Sequence, residues 1–389
     1  MSTPVALAVP GIVARRDRME GLRGGVPWIH IGMAVLALRV LLSAVGAGIA
    51  IVLPAPHQSL SLAHVMLDPW RQFDAYRFIT IAAHGYQANG LNTAYMPLYP
   101  LLLRAVTVVT GGHYLTAGLI VSNIACVAGV GLFWRWVADC FDEAVAWRAV
   151  AVMLLFPDSF YLLGAYSESP FLALSAWCLL ASRRERPVMA GLAGALAVLT
   201  RLQGLVLLVP LAIDLWRRAR RNGRARPFDA CVAFPAVALL GYQKALSTAV
   251  GGTSIVGTFQ HAWHISLQPP WSTLLQYVQA IHTPRFSFFH SSTNNYVMVW
   301  DLLVALLVLG VLVVSARRLG PDLSLYGLAA WCFALSRWYS TGRYMLAVLP
   351  FFIAVSVGAG PKQWRWVAAV STVLLIFFVS QFVQGSWID

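Results

Sequence analysis

Residues 73–104, FDAYRFITIAAHGYQANGLNTAYMPLYPLLLR, set one carboxylate, Asp74, among aromatic residues with Arg77, His84 and a proline–tyrosine knot that contains Tyr99. Asp74 opens a helical pattern in which Ala75, Phe78, Ile79, Ala82 and Ala83 are apolar. An aspartate at a helix start either caps free backbone amides or serves a site, and the spacing leaves both open. Pro97 and Pro100 fix the entry to an amphipathic helix expected over 101–109.

Two further polar groups interrupt apolar sequence. Pro157-Asp158-Ser159-Phe160 and Tyr166-Ser167-Glu168-Ser169 fall at the ends of adjoining apolar runs. Glu168 would lie close to bilayer depth, where an ionised carboxylate is costly unless paired. Its natural partner is Arg201 or another external arginine, and such a pair either ties two helices together or floors a polar site. The last group is cationic: Arg201, then Arg337 and Arg343 around Trp338-Tyr339-Ser340-Thr341-Gly342, then Tyr344. An arginine fork matches phosphate oxygens. With His261, His264, His282 and His290 these arginines suit an anionic lipid headgroup, or they meet ordinary membrane phosphates. No Walker loop or GxGxxG supports nucleotide binding.

What must position these residues follows from composition. The chain has 389 residues, 59% hydrophobic and 11% charged, against about a quarter charged in soluble domains. Apolar runs near the roughly 20 residues that cross a bilayer recur along its length, so the fold class is an all-α polytopic membrane protein. The net charge of +13 sits in short arginine clusters between apolar runs, at 183–186, 217–226 and 317–318. That is the positive-inside pattern, and no basic patch interleaved with stacking aromatics points to nucleic acid. Cys126, Cys140, Cys178, Cys231 and Cys332 have no CxxC pairing and read as small buried hydrophobes.

Arg15, Arg16, Arg18 and Arg23 put a basic segment, 1–27, in the cytoplasm, and the apolar run from Trp28 to about Pro54 reads as a signal anchor. Spans follow at about 115–137, 149–163 and 170–181. The block 188–216 is either one crossing or a hairpin of two short helices turning at 200–204. The hairpin keeps the six arginines of 216–226 inside, and its arms of roughly 14 residues reach only about 21 Å, recessing the turn and Arg201. Later spans are expected near 228–249, 300–315, 323–336, 344–360 and 366–383, for about 11 crossings in one domain, 1–389. The first external loop, 55–113, and the second, 251–299, then share a face.

Phe73-Asp74-x-x-Arg77-x-x-x-Ile81-Ala82-x-x-Gly85-Tyr86, followed by Met96-Pro97-Leu98-Tyr99-Pro100-Leu101-Leu102-x-Arg104, closely resembles the first luminal loop of the PIG-V mannosyltransferases and their bacterial relatives. Pro157 with Tyr166-Ser167-Glu168-Ser169 resembles that family's Pro…YSES stretch, and Leu199-Thr200-Arg201-x-x-Gly204-Leu205 its LTR-x-x-G-L turn. The likeness covers roughly 70–210 in order; beyond it, only Arg343-Tyr344 and Pro350 match in character. Phe73, Met96 and Gln203 stand where the family usually has Trp, Phe and Asn.

The resemblance implies a GT-C glycosyltransferase bundle, with amphipathic helices in a catalytic first external loop. It implies a polyprenyl-phosphate-linked sugar, usually mannose, as donor and Asp74 as general base; Asp68 is a second carboxylate that the motif does not match. Arg77, His84, Tyr99, Glu168, Arg201, Gln203, Arg337, Arg343 and Tyr344 are the candidates for holding donor phosphate or substrate. The acceptor expected is a glycolipid or cell-envelope glycan at the outer face of a bacterial plasma membrane, because the Arg- and Ala-rich composition looks bacterial. Membrane lipids are the surrounding partners, and neither metal nor cofactor is expected. A transporter or flippase of a lipid-linked sugar would need polar residues through both halves of the spans, whereas the charged candidates gather on one side. A non-catalytic subunit is the third reading.

Overall fold

The computed structural model describes residues 25–52, 62–87, 91–224, 226–252, 254–261, 264–282, 295–337 and 340–385. Lipid offers no partner to backbone amides, so a chain this apolar satisfies them within helices. Every regular element among the described residues is an α- or 3-10 helix. Five, of 22 to 27 residues, are long and apolar enough to cross a membrane: Trp28–Val52, Tyr114–Cys140, Pro227–Ala249, Tyr296–Leu319 and Lys362–Val383. Residues 1–24 of the basic segment, and 53–61 and 283–294 at the two loops expected to be external, lie outside the described residues.

Between the long helices run shorter ones. Glu143–Leu155, Glu168–Arg183, Pro187–Thr200, Leu208–Asn222 and Pro321–Ala334 have 13 to 16 residues. At 1.5 Å per residue they reach about 20–24 Å, short of the roughly 30 Å hydrocarbon core. Two expected spans are corrected. The one placed at 149–163 stops at Leu155, before Pro157, and Ser159–Leu162 is a 3-10 turn. The one placed at 344–360 is broken into Thr341–Met345 and Leu349–Gly358. The amphipathic helix expected over 101–109 spans Leu98–Thr107, with Pro97 at its N-cap and Pro100 in the first turn, where the missing amide hydrogen would have no helical partner anyway.

The Tyr114–Cys140 helix is the hub. It lies so close to Glu168–Arg183 that a Cβ on Gly129 would stand 2.9 Å from the Ala173 amide nitrogen. Small residues permit such approach where helices cannot rely on water exclusion to bring them together. Cys126 and Cys178 are buried in this core, and all five cysteines are free. The first helix meets it through Arg39, whose guanidinium donates to the Leu163 carbonyl at 2.9 Å and lies 4.4 Å over the Trp70 ring. The last helix closes the other side with Phe382, 5.0 Å from Phe160 and 5.9 Å from Phe73 between ring centres.

The block 188–216 is two short helices, Pro187–Thr200 and Leu208–Asn222, joined by an extended Arg201 and the 3-10 turn Leu202–Leu207. Gly204 makes this joint. A Cβ there would stand 2.5 Å from the Val198 nitrogen and 2.7 Å from the Ala197 carbonyl carbon, so the turn folds flat onto its own helix only with hydrogen at that position.

The arginine clusters occupy the far end of the short helices, and several of their members are ion-paired. Arg135 and Arg184 meet Asp139 at 2.9 and 3.1 Å, Arg217 meets Asp322, and Arg221 meets Glu185 at 2.7 Å. Glu168 begins a 16-residue helix whose last residue is Arg183, so the two ends are about 24 Å apart.

Gly204→Ala forces a methyl group against rigid backbone and is expected to cost about 1–3 kcal/mol. Thermal unfolding of purified protein should show a lowered midpoint, whereas Gly241→Ala, where a Cβ meets nothing within 4 Å, should not; equal midpoints would refute the flat-turn account.

Candidate active site

Asp74 is the first residue of the helix Asp74–His84, and its N-cap is Phe73 at φ 48, ψ −117, a strained conformation for a non-glycine residue. The aspartate does not cap the helix. Oδ1 accepts the Tyr95 hydroxyl at 2.5 Å and Oδ2 accepts Arg343 Nη1 at 2.5 Å. Burial by itself raises the Asp74 pKa, but the Arg343 guanidinium, the Tyr95 hydrogen bond and the charge of Arg201 outweigh it and hold the carboxyl below its usual value. Tyr95 is kept protonated by burial and by the Asp74 carboxylate, which push its pKa well above the ordinary phenol value. Its carbonyl receives the hydroxyls of Tyr86 at 2.9 Å and Tyr242 at 3.2 Å, and Phe78 stands edge-on to its ring at 5.1 Å. Sequence reasoning passed over Tyr95; its place at the start of the Tyr-Met-Pro knot was the available signal.

Glu168, 4% exposed, opens the next helix of the site. One of its oxygens, Oε1, accepts both Arg201 Nη1 and Arg343 Nε. Arg201 also donates to Gln203 Oε1 at 2.8 Å and Ser167 Oγ at 3.2 Å, and Gln203 reaches the Tyr344 carbonyl at 3.4 Å. Arg343 therefore bridges the two carboxylates, with its guanidinium carbon 4.8 Å from the ring centres of both Tyr161 and Tyr166.

Arg343 is aimed by a buried scaffold. The chain turns left-handed at Ser340, φ 63, into the single helical turn Thr341–Met345. Asp301 accepts the Gly342 amide at 2.6 Å and the Tyr277 hydroxyl at 2.9 Å, and Tyr277 shares a 2.9 Å hydroxyl contact with Thr341. Trp300 donates to Asp158 at 3.1 Å and lies so near that a Cβ on Gly342 would stand 2.6 Å from its indole nitrogen. Asp301, Trp300 and Tyr277 carry no local motif, and only the fold brings them to residue 342.

Arg337 stands 4.3 Å from the Tyr344 ring centre and 4.9 Å from that of Phe259; Arg201 is 5.2 Å from the Tyr344 ring centre. Among the described residues Arg337 meets no carboxylate. Burial lowers its pKa; Tyr344 opposes this most, the charges of Arg201 and Arg343 add to the lowering, and Asp74 opposes it least. Three guanidinium groups thus gather around two carboxylates, one positive charge in excess.

The remaining candidates are less central. Tyr99 is fully buried, its hydroxyl 2.9 Å from Ser122 Oγ and its ring edge-on to Phe78 at 4.9 Å, a packing position. Arg77 is half-buried one turn beyond Asp74, His84 is exposed at that helix's end, and Asp68 is half-buried in the 3-10 turn Asp68–Arg71. His261, His264 and His282 are exposed. Trp338, Tyr339 and His290 lie outside the described residues.

No protein-family model and no curated protein matches the chain. Among solved structures, ArnT from Cupriavidus metallidurans, determined bound to undecaprenyl phosphate, is similar at a TM-score of 0.51 and 14% identity over 93% of this chain and 75% of that one. An Archaeoglobus fulgidus oligosaccharyltransferase is similar at a TM-score of 0.42 and 14% identity over 89% of this chain, which spans 53% of its length. The likeness to ArnT, taken with the apolar helices, fixes the architecture: the chain is an all-α integral membrane protein with the GT-C fold.

Proposed function

We propose that this protein is a glycosyltransferase that moves a sugar, mannose by its PIG-V-like motifs, from a polyprenyl-phosphate donor to a hydroxyl of a glycolipid or cell-envelope glycan. The reading places it in a bacterial plasma membrane with its site on the extracytoplasmic side, opposite the arginine clusters. The observation that carries it is the array Asp74–Arg343–Glu168–Arg201 with Arg337 beside it. It supplies an ionised carboxylate next to guanidinium groups that outnumber the carboxylates. The shared fold supports the class of chemistry, since ArnT was solved with a polyprenyl phosphate bound.

In the proposed reaction the acceptor oxygen attacks the anomeric carbon from the face opposite the phosphate. The new C–O bond forms as the sugar–phosphate bond breaks, its electron pair leaves on the phosphate oxygen, and the acceptor proton passes to an Asp74 oxygen. Arg337, with no carboxylate to satisfy among the described residues, takes the lipid phosphate, and Arg201 and Arg343 spread the charge that gathers on it. The depressed pKa of Asp74 makes the free enzyme's base weak. A phosphate drawn to Arg343 loosens that hold, so donor binding itself raises the basicity of Asp74.

Asp74→Asn should leave the fold intact and lower turnover of polyprenyl-phosphate-mannose by about 10²–10⁴-fold; near-wild-type turnover in folded protein would remove Asp74 as base. The pH profile gives a separate check. Because the folded pKa of Asp74 is depressed, the carboxylate stays ionised through neutrality and is lost only as pH falls through that lowered value. The acid limb of kcat/KM is therefore expected below the ordinary aspartate value of about 3.9, and the limb of kcat at higher pH, since kcat reports the donor-bound enzyme. An acid limb of kcat/KM near neutrality would assign the proton to another group.

A further inference from the structure

At the end of the molecule opposite Asp74, a cavity of about 680 Å³ opens between the start of the Pro187–Thr200 helix, the end of Leu208–Asn222 and the 3-10 turn Pro227–Ala233. Arg186, Arg218, Arg221 and Arg226 line it against only two carboxylates, Glu185 and Asp229. Arg221 is spent on Glu185 at 2.7 Å. Asp229 is spent largely on the turn itself, because Oδ2 accepts the Arg226 backbone amide at 2.8 Å.

Arg218 is the unusual member. It is 93% buried by its 7% exposure, its Nε stands 3.4 Å from Asp229 Oδ1, and none of its three guanidinium nitrogens makes a hydrogen bond among the described residues. Donors taken out of water and left unmet cost free energy, more so on a charged group. Elsewhere on this end arginines are met: Arg217 donates twice to Asp322, and Arg184 twice to Asp139. A buried guanidinium with open donors, facing a cavity whose arginines outnumber its acids, is prepared for an oxyanion.

The walls say which kind. Val188, Met189 and Phe228 border the same cavity and are exposed by 39, 43 and 67%. One turn away Trp216, also exposed, stacks under Arg220 at 4.3 Å, the pairing of ring and cation found at the headgroup level of a bilayer. A free phosphate would gain nothing from those apolar side chains, whereas a lipid would lay its acyl chains along them. We propose that this cavity is a second, non-catalytic binding site for the phosphate of an anionic membrane lipid, with Arg218 and Arg226 as its principal donors.

The test is native mass spectrometry of the purified full chain loaded from nanodiscs of phosphatidylglycerol or of phosphatidylcholine, with inorganic phosphate as a separate arm. Wild-type protein should retain phosphatidylglycerol in preference to phosphatidylcholine. Arg218→Gln and Arg226→Gln should each reduce that retention about tenfold, the loss of one charge-assisted bond, while Arg365→Gln, an exposed arginine outside the cavity, should not. The exposed Arg226 keeps the test valid if Arg218→Gln fails to fold. Equal retention by all four proteins, or an equal drop in Arg365→Gln, would overturn the site. Binding of inorganic phosphate that Arg226→Gln abolishes, without lipid retention, would replace the lipid with a free anion.

Discussion

A single carboxylate oxygen, Glu168 Oε1, organises this molecule. It is buried in an apolar bundle and accepts two guanidinium groups, Arg201 from 33 residues away and Arg343 from 175 residues away. A buried carboxylate left without any partner would be very costly, about 3–5 kcal/mol where a buried pair is broken. The network thus penalises every arrangement that fails to bring residues 168, 201 and 343 together. Once Arg343 is held there, its Nη1 meets Asp74 across a separation of 269 residues. The segment that carries Asp74 is docked onto the bundle by the same cation that closes the bundle.

Arginine does different work at the two ends. At the clustered end most of it balances nearby carboxylates, as Arg217 does Asp322 and Arg184 does Asp139. At the Asp74 end the three arginines are held against aromatic faces, Tyr161, Tyr166, Tyr344 and Phe259. Ring faces attract a cation without neutralising it, so Arg337, which meets no carboxylate among the described residues, is fixed in direction while its charge remains uncancelled. A carboxylate in place of the rings around Arg337 would have fixed it equally well and cancelled its charge.

Much of this was legible in the sequence, and the reasons are local. Helix positions followed from apolar length, and the choice of a hairpin over one crossing at 188–216 followed from the arginines it would otherwise strand. The expected pairing of Glu168 with Arg201 also stands in the structure, because a buried acid has few partners to choose from. What stayed hidden is what depends on distant segments. Asp301, Tyr277 and Trp300 fix the loop before Arg343 through contacts that span 24 to 142 residues. The break at residues 346–348 lay inside an apolar run whose hydropathy is continuous, whereas Pro157 and Asp158 marked the one at 156–158. Asp74 as helix cap and Asp74 as network member make the same local pattern, and only Tyr95 and Arg343 separate them.

The irregular backbone gathers where the network is. Phe73 and Ser340 adopt positive φ, Arg201 is extended between two helices, and the helix after Arg343 stops at Met345. In a lipid-facing helix each break would leave amides without partners, so such geometry persists only where protein covers it. Here the side chains of the network supply that cover: Asp301 takes the Gly342 amide, and Gln203 donates to the Tyr344 carbonyl. The polar groups therefore do two things at once. They meet the backbone that the breaks expose, and the breaks let Asp74, Glu168, Arg201 and Arg343 leave four separate helix ends and converge. Uninterrupted helices would be more stable one by one, but their side chains would point at neighbouring helices along the bundle, and these four would share no common point.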